Sequence, residues 1–63
     1  MFLKVYADGG DDCLDVTRGV RIINLDNVLY ITSNEDERAI IKFTTGEILK
    51  TSNSFYELDN ILS

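Results

Sequence analysis

The side chains of this 63-residue sequence that could do chemistry are mostly carboxylates, and seven of the eleven lie in two clusters. The first cluster consists of Asp8, Asp11, Asp12 and Asp15. Several carboxylates on a flexible loop suit Ca²⁺, but an EF-hand loop needs a glutamate at its twelfth position. Counted from Asp8, that position is Gly19, and glycines also take the early ligand positions. We therefore expect a solvated acidic loop and no metal-binding residue.

The second cluster is the run Glu35-Asp36-Glu37. General acid–base catalysis needs a desolvated carboxyl, whereas three adjacent acids at a turn are typical of solvated surface. The sequence has no histidine and one cysteine, Cys13, which excludes histidine general bases, Cys–His dyads, histidine-ligated metals and an internal disulfide. We expect no catalytic residue, no enzymatic activity and an inert thiol.

Glycines and tyrosines are the remaining candidates. Gly9-Gly10 and Gly46 lack the surrounding pattern of a phosphate-binding loop, so we expect turn glycines and no cofactor. Tyr6, Tyr30 and Tyr56 could form an aromatic platform for bases or peptides. Three aromatics spread over different elements are more often edges of a core whose hydroxyls reach water. We adopt that interpretation.

The charge of the chain argues against nucleic acid as its partner. Six Lys and Arg residues against eleven Asp and Glu give a net charge of −5. Proteins bind duplex DNA chiefly by neutralising phosphates with Lys and Arg. The cations are scattered along the sequence, and their assembly into one basic patch would favour nucleic-acid binding. They are Lys4, Arg18, Arg21, Arg38, Lys42 and Lys50.

The length allows one domain, residues 1–63, with a small core. Chains of this size bury only about 60% of the surface that the unfolded chain exposes, and a second copy of the chain is a common way to complete such a core. The apolar start, 1–6, is interrupted by Lys4 and is too short for a signal peptide or a membrane-spanning helix. We expect a cytoplasmic protein that does not act at a membrane.

Alternation of apolar and polar residues with a period of two predicts a chain made mainly of β-strands. Leu3, Val5 and Ala7 alternate with the residues that follow each of them. In 20–25, similarly, Val20 and Ile22 fall on one side of the strand. Turn-forming residues separate the strands, with Gly9-Gly10 ending the first and Asp26-Asn27 bending the chain between two others. The predicted strands are 2–7, a short edge strand 13–17, 20–25, 28–32, 38–44 and 47–51.

The hairpin closed by Thr45-Gly46 has two possible registers. A two-residue loop would pair Phe43 with Ile48. A three-residue loop, with its glycine in the left-handed conformation, would pair Ile41 with Leu49. The sequence does not choose between them.

The end of the chain has the period of a helix instead of a strand. Phe55, Leu58, Ile61 and Leu62 form one helical stripe, and Ser54-Phe55-Tyr56-Glu57 fits a capping box. We predict a helix over 55–62 that docks on the sheet, because so short a helix is not stable alone in water. The predicted fold is mainly β with one C-terminal α-helix: a small bent antiparallel sheet, or partly open barrel, of four to five strands.

Residues 20–62 resemble two bacterial families. The run Ile22-Ile23-Asn24-Leu25-Asp26-Asn27-Val28-Leu29-Tyr30-Ile31, followed by a polar turn, the hairpin 39–47 and the helix, resembles the first part of the LytTR-type DNA-binding domain. The same course is similar to that of the FlbD-type small flagellar proteins. In the LytTR family much of the DNA contact comes from a later half that has no counterpart before Ser63. The resemblance therefore implies a fold and a bacterial regulatory or phage-type setting, but no DNA-contacting residue.

We expect a non-enzymatic protein-binding or regulatory module of bacterial or phage type. A sheet this small leaves open edges whose unpaired N–H and C=O groups are templates for another chain. The partner would be a protein or a second copy of this chain, which makes a homo-oligomer the expected state. A LytTR-related nucleic-acid-binding transcriptional regulator is the alternative.

Overall fold

A computed structural model describes residues 1–10 and 19–62. This part of the chain forms five β-strands, a 3₁₀ turn and an α-helix, so the predicted mainly β fold with a C-terminal helix is confirmed. Several predictions concern residues outside this described part: those for the strand 13–17, Cys13, Arg18 and three of the loop acids. The elements are β1 (Phe2–Gly10), β2 (Gly19–Asn24), the 3₁₀ turn (Leu25–Asn27), β3 (Val28–Ser33), β4 (Arg38–Phe43), β5 (Ile48–Ser54) and α1 (Phe55–Leu62).

The strands form one antiparallel sheet in the order β2-β1-β5-β4-β3. Its two edges among the described strands are β2 and β3, yet only Leu25–Asn27 joins them along the chain. In a flat sheet the edges would lie about 19 Å apart, four strand spacings of about 4.8 Å. A three-residue 3₁₀ turn advances only about 6 Å. The sheet must therefore curl until the end of β2 and the start of β3 come close to each other, which is consistent with the predicted bent sheet.

Backbone hydrogen bonds hold the crossing from β2 to β3 at both ends. Leu25 N donates to Met1 O at 2.9 Å, and Thr44 N donates to Asn27 O at 2.8 Å. The side chain that turns the chain is Asn24, whose Oδ1 accepts from the amide two residues later at 3.0 Å. The predicted bend is thus present, and it carries the chain from one edge of the sheet to the other.

β1 continues past the point where the sequence predicts its end. Both residues of Gly9-Gly10 pair with β5, and the register shifts between Ala7 and Gly9. Asp8 is therefore the extra residue of a β-bulge, and glycine within a strand is typical of bulges. The prediction that this glycine pair is a turn was wrong, because a local sequence cannot distinguish a turn from a bulge that a neighbouring strand stabilises.

The β4–β5 hairpin takes the second of the two registers that the sequence leaves open. Ile41 pairs with Leu49, and Phe43 N donates to Glu47 O at 2.9 Å across a three-residue loop. Gly46 has a φ of +94° in this loop. Glycine adopts that conformation readily, whereas a side chain would be strained there. Gly46 is therefore a turn glycine, as predicted.

The core lies on the inner face of the curled sheet. The alternation predicted for β1 is confirmed, because its odd-numbered residues up to Ala7 are buried while Lys4 and Tyr6 are exposed. Thr51 is buried among the apolar side chains, and its Oγ1 donates to Ala39 O at 2.8 Å. The buried apolar residues are Leu3, Val5, Ala7, Ile23, Ala39, Ile41, Leu49 and Leu58.

The helix α1 has the predicted bounds, Phe55–Leu62. Among the described residues, no helix has both the length and the apolar character needed to cross a membrane. Leu58 is its only buried residue. The hydrogen bonds of the described residues do not include those of the predicted capping box. Instead, Glu57 Oε1 accepts from Asn53 Nδ2 at 2.9 Å, and Asn53 Oδ1 accepts from Tyr6 N at 2.6 Å. One amide side chain thereby connects β1, β5 and α1.

Candidate functional site

The edge strand β3 presents unpaired backbone groups. Within the described part of the chain, β3 pairs with β4 alone. Asn34 N donates to Arg38 O at 3.0 Å. Because hydrogen-bonded pairs of an antiparallel ladder recur at every second residue, Thr32 and Tyr30 are the next residues of β3 that bond to β4. The N–H and C=O groups of the residues in between, Ile31 and Ser33, therefore point away from β4 and toward the free edge.

The side chains of β3 do little to protect this edge. Natural edge strands are usually blunted by charges, prolines or bulges, but the sequence VLYITS has no charge and no proline. Its one irregularity is a register shift between Val28 and Tyr30, which leaves 30–33 regular. Leu29 and Tyr30 are 59% and 50% exposed. The strand is thus rich in β-forming residues and open to a further strand.

The helix α1 forms a groove beside this edge. It packs over β3, β4 and β5, and a cavity of about 120 Å³ lies between it and β3. Four of the five lining residues are apolar: Ile31, Phe55, Leu58 and Leu62, with Asp59 as the fifth. We call this cavity with the free edge of β3 the β3–α1 groove. Domains that add a peptide as an extra strand use this arrangement, in which backbone hydrogen bonds give affinity and adjacent pockets give specificity.

Acidic side chains surround the β3–α1 groove. β3, the turn 34–37 and α1 together carry five acidic residues and no Lys or Arg. Glu37 O accepts from Phe55 N at 2.8 Å, so the acidic turn lies against the start of the helix. The five acids, all exposed, are Glu35, Asp36, Glu37, Glu57 and Asp59. A segment that fits this groove should be apolar on one side and should carry Lys or Arg.

The predicted candidates for chemistry do not come together. The run Glu35-Asp36-Glu37 lies on an exposed turn, with Asn34 Oδ1 accepting from the amides of Asp36 and Arg38 at 2.9 Å each. Residues 1–10 and 19–62 hold no group of three His, Cys, Asp or Glu side chains that could bind a metal ion. The tyrosines do not form one platform, because Tyr6 on β1 and Tyr30 on β3 are separated by β5 and β4.

Four of the cations project from the outer face of the sheet, opposite the core. Lys42 lies opposite Ile48 and Lys50 lies opposite Ile40, so the two lysines are diagonal neighbours on adjacent strands. Arg21, in contrast, has its side chain on the inner side of β2. The outward cations are Lys4, Arg38, Lys42 and Lys50. They are spread over three strands, and Arg38 Nη1 donates to Ser52 O at 2.9 Å.

A second, larger depression of about 330 Å³ lies at the end of the β4–β5 hairpin. Its lining residues are Arg21, Asn27, Phe43, Thr45 and Glu47. Four of these are polar or charged, and three of the four are exposed. Phe43 is the one apolar residue of this lining, whereas four of the five residues that line the cavity beside β3 are apolar, so the β3–α1 groove is the stronger candidate.

Sequence reasoning missed the β3–α1 groove because none of its residues belongs to a chemical motif. A signal was present in the uncharged run 28–34, which follows the bend at Asp26-Asn27 and precedes three acids. A second signal was the helical stripe, which has four apolar residues. A short helix on a small sheet buries few of them, and here Leu58 is buried while Leu62 stays exposed beside the cavity.

The chain matches no protein-family model, and neither a curated protein nor a solved structure is significantly similar to it. Its resemblance to the LytTR and FlbD families therefore stays a prediction.

Proposed function

We propose that the chain is a non-enzymatic protein-binding module that takes up an extended segment of its partner as an additional strand along β3. One side chain of that segment enters the cavity between β3 and α1. The observation that carries the proposal is that β3 has no charged residue and no partner on one side among residues 1–10 and 19–62, and lies directly beside a mostly apolar cavity. The five acids around the groove select a segment with positive charge.

The energetics favour a reversible interaction. Ile31 and Ser33 offer two N–H and two C=O groups, and each hydrogen bond contributes about 0.5–1.5 kcal/mol net. Burial of one large apolar side chain in the cavity adds about 1.5–3 kcal/mol. The loss of translational freedom and the ordering of the segment offset much of this sum. Such a module suits a regulatory contact more than a permanent complex.

The test measures binding of fluorescent synthetic peptides by anisotropy. A peptide of alternating lysine and valine should bind, and its matched control of alternating glutamate and valine should not, because the groove is acidic. Ser33→Pro should weaken the lysine peptide about tenfold, since it removes an edge N–H without breaking the ladder to β4. Ser33→Ala keeps that N–H and should bind as the original chain does. Equal affinity of both variants, or of both peptides, would contradict the proposal.

Nucleic-acid binding is a second candidate, favoured by the outward position of Lys4, Arg38, Lys42 and Lys50. With a net charge of −5, we expect negligible affinity for duplex DNA at physiological salt and a shallow dependence on salt. Anisotropy of a labelled duplex, measured over a salt series, checks this expectation. Tight binding that falls steeply with salt and is lost in K42Q/K50Q would establish the second candidate instead.

A further inference from the structure

We infer that the strand added along the free edge of β3 is the β2 edge of a second copy of this chain, so that copies join head to tail through β2 and β3. This inference rests on the proposed strand-binding function of the groove and names its partner. Both edges have six residues, Gly19–Asn24 and Val28–Ser33. Each copy therefore carries one strand to donate and one edge to receive it.

The β2 edge has unpaired backbone groups of the same kind as β3. Among the described strands β2 pairs with β1 alone. Leu25 N donates to Met1 O, so these two residues form a hydrogen-bonded pair of the β1–β2 ladder. In an antiparallel ladder such pairs recur at every second residue. Tyr6 N lies between them and donates away from β2, to Asn53 Oδ1. The N–H and C=O groups of Val20 and Ile22 consequently face the free edge, spaced two residues apart like those on β3.

Charge favours the pairing of β2 with β3 over the pairing of either edge with the same edge of a second copy. The strands β1 and β2 carry Lys4 and Arg21 against the single acid Asp8, a charge of +1. Residues 28–37 and 55–62 carry five acids and no cation, a charge of −5. Lys4 is exposed and lies opposite Ile22, one strand in from the free edge. Pairing β2 with β2, or β3 with β3, would bring like charges together, whereas pairing β2 with β3 brings opposite charges together.

The exposed apolar side chains of the sheet lie at the same two edges. Val20 and Ile22 on β2 are 64% and 67% exposed, and Leu29 and Tyr30 on β3 are 59% and 50% exposed. In a sheet that continues from β2 of one copy to β3 of the next, outward side chains of the two strands become neighbours. Contacts between β-branched and aromatic residues across such a pair are stabilising, and the pairing covers apolar surface that a single copy leaves in water.

The inferred contact joins different surfaces of the two copies, which determines the size of the assembly. After one pairing, the complex still has one free β2 edge and one free β3 edge. Growth therefore continues until a ring closes or a filament forms. The expected state of the original chain at micromolar concentration is larger than a dimer.

The decisive experiment uses two variants, each blocked at one edge, and measures mass by sedimentation. Ser33→Pro blocks β3, and Ile22→Pro blocks β2, because both residues direct their N–H to the free edge. Each variant alone should be monomeric. An equimolar mixture of the two should form a complex of two chains and grow no further, since only one compatible pair of edges remains. Ser33→Ala and Ile22→Val keep the amides and should assemble like the original chain.

Circular dichroism of each proline variant reports whether its sheet is intact. If one is unfolded, Ile22→Glu or Tyr30→Lys replaces it, because each gives its edge the charge of the facing edge without altering the backbone. A Ser33→Pro variant that still dimerises alone, or a mixture that stays monomeric, would overturn the inference. If the original chain is monomeric yet binds the lysine–valine peptide, the inference that the partner is a second copy is wrong, whereas the proposal that the groove binds a strand still holds. A monomer that binds no peptide would overturn both.

Discussion

Truncation of Leu58 to alanine should lower the free energy of unfolding by about 2–5 kcal/mol. Leu58 is 1% exposed and is the one residue of α1 in the core cluster. Its removal costs the transfer free energy of the lost methyl groups and leaves a cavity under the helix. A 63-residue domain has a total stability of about 3–9 kcal/mol, so this change should leave the fold near its limit.

Thermal and urea melts at several protein concentrations measure the effect, because self-association raises apparent stability. Tyr56→Ala is the matched control, since that side chain lies on the same helix and is 59% exposed. It should change stability by less than about 1 kcal/mol. Unchanged melting of dilute L58A would mean that 52–63 is an arm that docks only on a partner, and the helix would then have no place in the core of the free chain.

The second large effect should come from Ile41→Ala, with a loss of about 2–5 kcal/mol. Ile41 is fully buried and lies on β4 between Ile31 of β3 and Leu49 of β5. Its neighbour Ile40 has the same side chain on the outer face of the same strand and is only partly buried. Ile40→Ala should cost less than half as much, because its side chain remains in contact with water in the folded state.

The comparison of these two isoleucines also tests the register of the β4–β5 hairpin. A slip of one residue would move every side chain of β4 to the opposite face. Urea unfolding of both variants, with equal slopes, gives the two free energies directly. If Ile40→Ala cost as much as Ile41→Ala, or more, the three-residue loop at Gly46 could not be the one that closes the hairpin.

The sequence by itself determined the elements that depend on local pattern. The alternation of Leu3, Val5 and Ala7 identified the buried side of β1, and the spacing of Phe55, Leu58 and Leu62 identified α1 with its bounds. The bend at Asp26-Asn27 and the left-handed glycine of the last hairpin were also visible. These features follow from interactions within a few residues, or from a repeat that matches the geometry of a strand or helix.

Only the tertiary structure decided the features that depend on a strand distant in sequence. Gly9-Gly10 pairs with β5 some forty residues later, and that pairing turns an apparent stop into a bulge. Asn53 donates to Glu57 Oε1, the oxygen that the predicted capping box would use, and also accepts from Tyr6 N on the distant strand β1. The hairpin register was likewise decided by the fit of Ile41 and Leu49 on the inner face.

The β3–α1 groove belongs to this second group. The strand order places β2 and β3 at opposite edges of the sheet, the three-residue crossing between them requires the sheet to curl, and α1 lies beside β3. No residue of the groove is chemically distinctive, so its local sequence is that of any apolar strand and any short helix. The groove exists because the strand order leaves β3 at an edge of the described sheet, and which strand lies at an edge is a property of the whole sheet that no local pattern encodes.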